Sequence, residues 1–229
     1  MFPRSFKTLN ATAEKLIEFA YNVQTDGQLS GAPNWISSEE YDIDAKIEDS
    51  EVERLQKLPS GQMKNQIQFL VQSLLADRFK LKVSYTTKQL PVYALVIAKG
   101  GPKLRSPADT AGSVTRREER GQFSGVNAST DMLANALSRQ AEIGRTVIDE
   151  TGLKGKYDWT LKWTPDVSTP ISKENDDGSH EPGNAAPPPD STGPSLFTAI
   201  QEQLGLKLKA KKGPVEVLVI DHVERPSQN

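Results

Sequence analysis

Four blocks of this chain occur twice in the same order, and no other feature restricts its fold so tightly. Phe6-Lys7-Thr8-Leu9-Asn10-Ala11-Thr12 returns as Phe123-Ser124-Gly125-Val126-Asn127-Ala128-Ser129. Leu16, Ile17, Ala20 and Tyr21 return as Met132, Leu133, Ala136 and Leu137. Tyr41-Asp42-Ile43-Asp44-Ala45-Lys46 returns as Tyr157-Asp158-Trp159-Thr160-Leu161-Lys162. Phe79-Lys80-Leu81-Lys82 with Pro91–Ile97 returns as Leu206-Lys207-Leu208-Lys209 with Pro214–Ile220. Ordered matches at nearly constant offsets, 116 to 127 residues, point to an internal duplication, which constrains the fold before any local propensity is weighed.

Each copy can be read locally. Thr12 and Ser129 suit helix N-caps, because a hydroxyl accepts a bond from a free first-turn N–H. The apolar residues that follow form one helical stripe. Tyr41, Ile43 and Ala45 alternate with Asp42, Asp44 and Lys46, the pattern of a strand with one wet face; Tyr157, Trp159, Leu161 and Trp163 repeat it with bulkier side chains. A second helix is expected in each copy, around Met63–Leu75 and from Ser195 to a stop at Gly205. Two strands follow in each: Phe79–Val83 with a lysine-rich face, and an apolar run, Val92–Ile97 or Val215–Ile220, suited to the middle of a sheet. The expected class is α+β, as two similar β-α-β-α-β-β units with helices packed on a mostly antiparallel or mixed sheet. The expected domains are residues 1–104, a polar linker 105–122, and residues 123–229. Residues 165–194 hold seven of the 15 prolines and read as a mobile insertion in the second copy.

Composition excludes more than it selects. Lys+Arg 28 against Asp+Glu 30 leaves a net charge of -2, so nothing global draws the chain to nucleic acid or an anionic membrane. No apolar run is long enough to span a bilayer, and no signal peptide is recognisable in the segment. Zero cysteines rule out disulfide scaffolds, cysteine nucleophiles and cysteine-ligated metals.

Several phrases resemble an uncharacterised family of soil-bacterial proteins, abundant in acidobacterial genomes. They include Leu16-Ile17-Glu18-Phe19-Ala20-Tyr21, Gly31-Ala32-Pro33-Asn34-Trp35, Leu74–Leu81, Asp149–Asp158 and Val217–Glu224. The similarity covers nearly the whole chain. It implies a full-length form with an export signal or membrane anchor, hence a periplasmic or secreted location, and in some members fusion to antibiotic-sensor-type metallopeptidase domains. It also implies an earlier strand of Phe-Glu-Val-Ala-Ser type that this segment lacks. Each unit is similar in layout to short domains at the N-termini of secretins and TonB-dependent receptors, an analogy of fold alone.

Duplication also supplies a filter for chemistry. Polar residues present in both copies, Asp42 with Asp158 and Asn10 with Asn127, read as architecture. Those present once are the better site candidates. His222 follows the last strand where the first copy has Lys99, and a histidine titrates near neutrality as a general base must. Its neighbour Asp221 points to the opposite face of a strand, so any acidic partner comes from elsewhere. Trp35 and Asn34 in a Gly-Pro-rich loop, together with Tyr157, are candidates for ligand contact; Trp35 is read first as a plug between helix and sheet. No nucleophile elbow or phosphate loop is present. His180 lies in the Pro-rich insertion. Glu48-Asp49-Ser50-Glu51 and Glu174–Gly178 are oxygen-rich enough for Ca²⁺ but fit no loop pattern, so no metal site or cofactor is assigned. The lysines at 80, 82, 207, 209, 211 and 212 read as protection of exposed strand edges.

The expectation is a non-catalytic binding module of the cell envelope, with a small molecule, a peptide or an envelope protein as partner, and with residues 24–36 and 139–156 at the rim of a cleft. The rival is a small hydrolase of esters or lactones, acyl-homoserine lactones among them, with His222 as base and Ca²⁺ as an optional Lewis acid. A third reading is assembly through strand edges.

Overall fold

The computed structural model describes residues 5–25, 27–58, 60–108, 114–165 and 193–227. The class is α+β, with mixed parallel and antiparallel sheets. The chain divides into two compact units: residues 1–90 with 214–229, and residues 91–213. Most of the insertion expected at 165–194, with His180 and the Glu174–Gly178 stretch, lies outside the described residues.

The first unit opens with β1 (Ser5–Thr12), antiparallel to β3 (Glu40–Lys46). The register shifts between Thr8 and Ala11, and at this bulge Asn10 turns to φ 51°. Its N–H donates to Asp42 Oδ1 at 2.9 Å. Asparagine tolerates the left-handed region better than most residues, and the carboxylate takes the N–H that the ladder has lost. Helix α1 (Ala13–Tyr21) starts at once, with Thr12 Oγ1 accepting from Lys15 N–H. A short β2 (Leu29–Ser30) and a single turn, α2 (Trp35–Ser38), precede β3; α3 (Asp49–Gln56) and α4 (Ser60–Arg78) follow it. Helix α3 occupies the acidic stretch around Glu48–Glu51. Ala13, Leu16, Ile17 and Ala20 of α1 bury against Val71 and Leu75 of α4 and Leu218 and Ile220, which arrive from the far end of the chain.

The second unit repeats several of these devices. β6 (Gln122–Ala128) runs antiparallel to β8 (Tyr157–Lys162), with a register shift between Gly125 and Ala128. Asn127 sits there at φ 56° and donates its N–H to Asp158 Oδ1 at 2.8 Å. Ser129 caps α5 (Thr130–Leu137) by accepting from Met132 N–H, and Ser195 caps α6 (Leu196–Leu204) by accepting from Thr198 N–H. The other strands of this unit are β5 (Thr115–Glu119), paired to the outer edge of β6, and the short β7 (Val147–Asp149). The segment expected as a linker thus carries a strand. The core gathers Phe123, Leu133, Leu137, Trp159, Leu161, Ile200, Leu204 and Leu206, all buried.

The structure departs from the expected unit at the end of each half. The two strands anticipated there are one: β4 (Lys82–Ile97) and β9 (Leu206–His222) run without a turn. Both lie inside a four-stranded sheet of order β2-β9-β4-β7. Each passes from one unit to the other, at 90/91 in β4 and 213/214 in β9, so Pro91 and Pro214 each open the stretch of chain that follows. In the first unit β2 pairs parallel to β9, Leu29 opposite Leu218. In the second β7 pairs parallel to β4, Val147 opposite Tyr93. Each unit therefore takes a strand segment from the other half of the sequence.

Residues 79–81 also differ from the expected strand. The Leu81 N–H bonds back to the Leu75 carbonyl at 3.2 Å, and Lys80 between them sits at φ 51°. The bond closes the C-terminus of α4 through a left-handed residue, here a lysine where α6 uses Gly205 at φ 63°.

Candidate functional site

The first unit contains a cavity of about 670 Å³ between the inner face of β3 and α4. Phe6, Ala45, Ile47, Ile67, Leu70, Val71 and Leu74 form its apolar lining; Lys46, Glu48, Glu51, Asp77 and Arg78 ring it. A second cavity of about 320 Å³ continues along β3, lined by Tyr41, Ile43, Leu74, Phe79 and Pro226. Ala45, Leu74 and Arg78 line both, so the two form one groove. Its volume falls in the range of small-molecule sites.

Side-chain size explains the groove. Along β3, Tyr41, Ile43 and Ala45 turn inward and are half-buried, while Asp42, Asp44 and Lys46 are exposed. The matching residues of β8 are Tyr157, Trp159 and Leu161, and there Trp159 and Leu161 are 5% and 0% exposed. Isoleucine replaces tryptophan, and alanine replaces leucine. The smaller pair leaves open in the first unit space that the bulkier, buried Trp159 and Leu161 take up on the matching face of the second.

One end of the groove is closed by the residues after β9. Arg225 reaches Glu39 through Nε, 3.0 Å from both carboxylate oxygens, and through Nη2, 2.6 Å from Oε1. Its guanidinium also lies 5.1 Å over the Trp35 ring. The Tyr41 hydroxyl donates to Glu39 Oε2 at 3.0 Å, and Tyr41 meets Phe79 edge-on at 5.3 Å. Hydrogen bonding from Arg225 holds the Glu39 carboxyl below the usual carboxylate range. Desolvation pushes the Tyr41 hydroxyl up.

The residues singled out from sequence fall as follows. Trp35 opens α2, packs on the first core and receives Arg225 on its ring. The Asn34 carbonyl accepts from Ser37 Oγ at 2.9 Å, and its side chain makes no cap bond. His222 ends β9 on the surface, its Nε2 2.8 Å from Glu224 Oε1. Asp221 accepts from Ser84 Oγ at 2.9 Å, so the carboxylate beside His222 belongs to Glu224, two residues on. Tyr157 belongs to the second unit, half-buried against its core. Among the described residues no group of three or more His, Asp or Glu side chains is placed to hold a metal ion. Ala45, Leu74, Arg78 and Arg225 were not foreseen. Ala45 had a signal in its pairing with Leu161; Arg225 had none, because its partners Glu39 and Trp35 lie far away in sequence.

Comparison with known families places the chain. It belongs to the family described as protein of unknown function DUF3738, whose model matches residues 14–223. No curated protein and no solved structure matches it.

Proposed function

We propose that this member of the DUF3738 family is a binding module whose groove along β3 and α4 takes a small molecule with an apolar body. The observation that supports it most is the substitution of Ile43 and Ala45 for the Trp159 and Leu161 that fill the matching face of the second unit. A stable protein gains from filling such space, each buried methylene being worth about 0.8 kcal/mol. Leaving it empty makes sense where a ligand completes the packing. The paired bulges, Asn10–Asp42 and Asn127–Asp158, and the paired caps support descent of the two halves from one copied unit. On that reading the second copy keeps the filled core and the first has been opened. The resemblance to exported relatives favours a periplasmic or secreted setting.

Calorimetric titration with decanoate, 1-anilinonaphthalene-8-sulfonate and N-octanoyl homoserine lactone tests this reading. At least one binds the wild type, and Ala45→Leu weakens it tenfold or more while the protein stays folded. Failure of all three to bind, or binding indifferent to Ala45→Leu, overturns it.

A second reading rests on the His222–Glu224 pair. A carboxylate at 2.8 Å fixes the orientation of the imidazole, as general-base work requires. The lactone titration separates the two readings. Turnover that disappears in His222→Ala makes the chain a hydrolase; binding without turnover leaves it a module.

A further inference from the structure

The outer edge of β8 is paired at both ends and open between them. Trp163, just beyond the strand, donates its N–H to the Gly121 carbonyl at 2.9 Å, so the odd-numbered residues turn their backbone groups toward β6. Successive residues of a strand alternate, and Asp158, Thr160 and Lys162 therefore turn their N–H and C=O to the outer edge. Asp158 is bridged there by Arg105, the two residues exchanging N–H···O bonds of 2.8 and 3.1 Å. Lys162 is satisfied by a side chain: Gln203 Oε1 accepts from its N–H at 2.9 Å, and Gln203 Nε2 donates to its carbonyl at 2.6 Å. Thr160 lies between them, and no described residue bonds to it from that side. An antiparallel continuation of the Arg105–Asp158 bridge would set Lys103 opposite Thr160. Instead the Lys103 N–H goes to the Leu204 carbonyl at 2.8 Å, and its ammonium to the Glu202 carbonyl at 2.7 Å. A cavity of about 360 Å³ lies at this place, with Lys103, Arg105, Asp158, Thr160, Gln203 and Leu204 among its walls.

We propose that this cavity is a small-molecule site that takes a primary carboxamide against the edge of Thr160. Gln203 shows the fit, because its one carboxamide serves both backbone groups of Lys162. Thr160 presents the same donor and acceptor two residues away on the same edge. A carboxylate would leave the Thr160 carbonyl without a donor, and an ammonium would leave the N–H without an acceptor; an amide answers both. The opening is one edge residue wide, closed by Arg105 on one side and Gln203 on the other, so an added β-strand finds no run of free positions to pair with. Lys103 and Arg105 outweigh Asp158 on the wall, which favours a ligand whose remainder is neutral or anionic. The site belongs to the second unit and stands whether or not the groove of the first unit binds.

The test is a residue-resolved NMR titration of the whole chain with succinamate, which carries a primary amide and a carboxylate. Succinate, which lacks the amide, and N,N-dimethylsuccinamate, which lacks the amide N–H, are the controls. Succinamate gives saturable shifts centred on the Thr160 amide. It also shifts the indole N–H of Trp159, a residue of the cavity wall whose Nε1 is buried without a partner. Exchange of the Thr160 amide slows about tenfold at saturation. Both controls bind at least fivefold more weakly. In Gln203→Ala, succinamate adds a second set of shifts at Lys162, where the native carboxamide has been removed. No response at Thr160 in the wild type, or an equal response to succinate, overturns the proposal. So does an acetylated tripeptide amide that shifts Asp158, Thr160 and Lys162 together and outcompetes succinamate, because the edge is then an acceptor of strands.

Discussion

Replacing Asp158 by alanine tests the logic of the paired bulges. The Asn127 amide is held in the left-handed region by register and donates at 2.8 Å to Asp158 Oδ1, on a residue only 1% exposed. Without the carboxylate the buried amide loses the acceptor it has at 2.8 Å. Losing a hydrogen bond at a buried donor costs about 1–3 kcal/mol. With a urea dependence of about 1–3 kcal/mol per molar, the unfolding midpoint of the second unit falls by roughly 1 M. Hydrogen exchange at the Asn127 amide, if governed by the same loss, accelerates about ten- to a hundredfold. Asp42→Ala is the internal control. It removes the matching bond, 2.9 Å long, from Asn10 in the first unit, but there the site is exposed and water replaces the carboxylate. Its cost is about 0.5–1 kcal/mol. The assay is urea unfolding of both variants, with amide exchange read residue by residue. Equal losses, or a larger loss for Asp42→Ala, would refute the argument that burial sets the value of these two bonds.

Other expectations follow from single contacts. Gly205→Ala forces a methyl-bearing residue into φ 63°, with its Cβ driven into the Gly101 carbonyl oxygen, and lowers stability by about 1–3 kcal/mol; calorimetry showing no loss would contradict the close approach. Lys80→Gly, at the equivalent helix end, relieves a lysine held at φ 51° and raises stability by about 0.5–1 kcal/mol, read by thermal unfolding. Leu161→Ala empties a fully buried position and costs about 2–5 kcal/mol. Hydrogen bonds from Arg225 hold the Glu39 carboxyl below the ordinary glutamate range. A depressed folded-state value means that its contribution is present above the unfolded-state pKa and is lost as pH falls through the folded one. In Arg225→Gln, carboxyl NMR finds Glu39 back in the ordinary range, and the extra acid sensitivity of the C-terminal attachment is gone.

Much of the local structure was legible because it is set by neighbours in sequence. Thr12, Ser129 and Ser195 announce three helix starts by hydroxyl chemistry, and Gly205 announces an end. The alternation of Tyr41–Lys46 and Tyr157–Lys162 gives two strands and their inner faces. What was not legible depends on distant partners. Two-residue β2 and three-residue β7 carry no period, and exist only because β9 and β4 offer edges to pair with. The continuity of β4 and β9 was hidden by Pro91 and by Gly213-Pro214, which read locally as breaks; the structure uses these prolines where the strands change units. Lys80 reads as part of a strand because lysine gives no sign of the left-handed conformation that helix closure imposes. The groove was hardest to foresee, because it is a missing volume. Only the comparison of Ala45 with Leu161 and of Ile43 with Trp159 exposes it, and that comparison needs the face of each strand to be known.

The face opened in the first unit is proposed as a ligand site. Residue-resolved NMR during titration with N-octanoyl homoserine lactone addresses it most directly. Amide shifts centre on Ala45, Leu74 and Arg78 along β3 and α4, and they are lost when Ile43→Trp and Ala45→Leu fill the groove as β8 fills its own face. Shifts centred instead on Tyr157 or elsewhere in the second unit, or a filled variant that still responds, would contradict it.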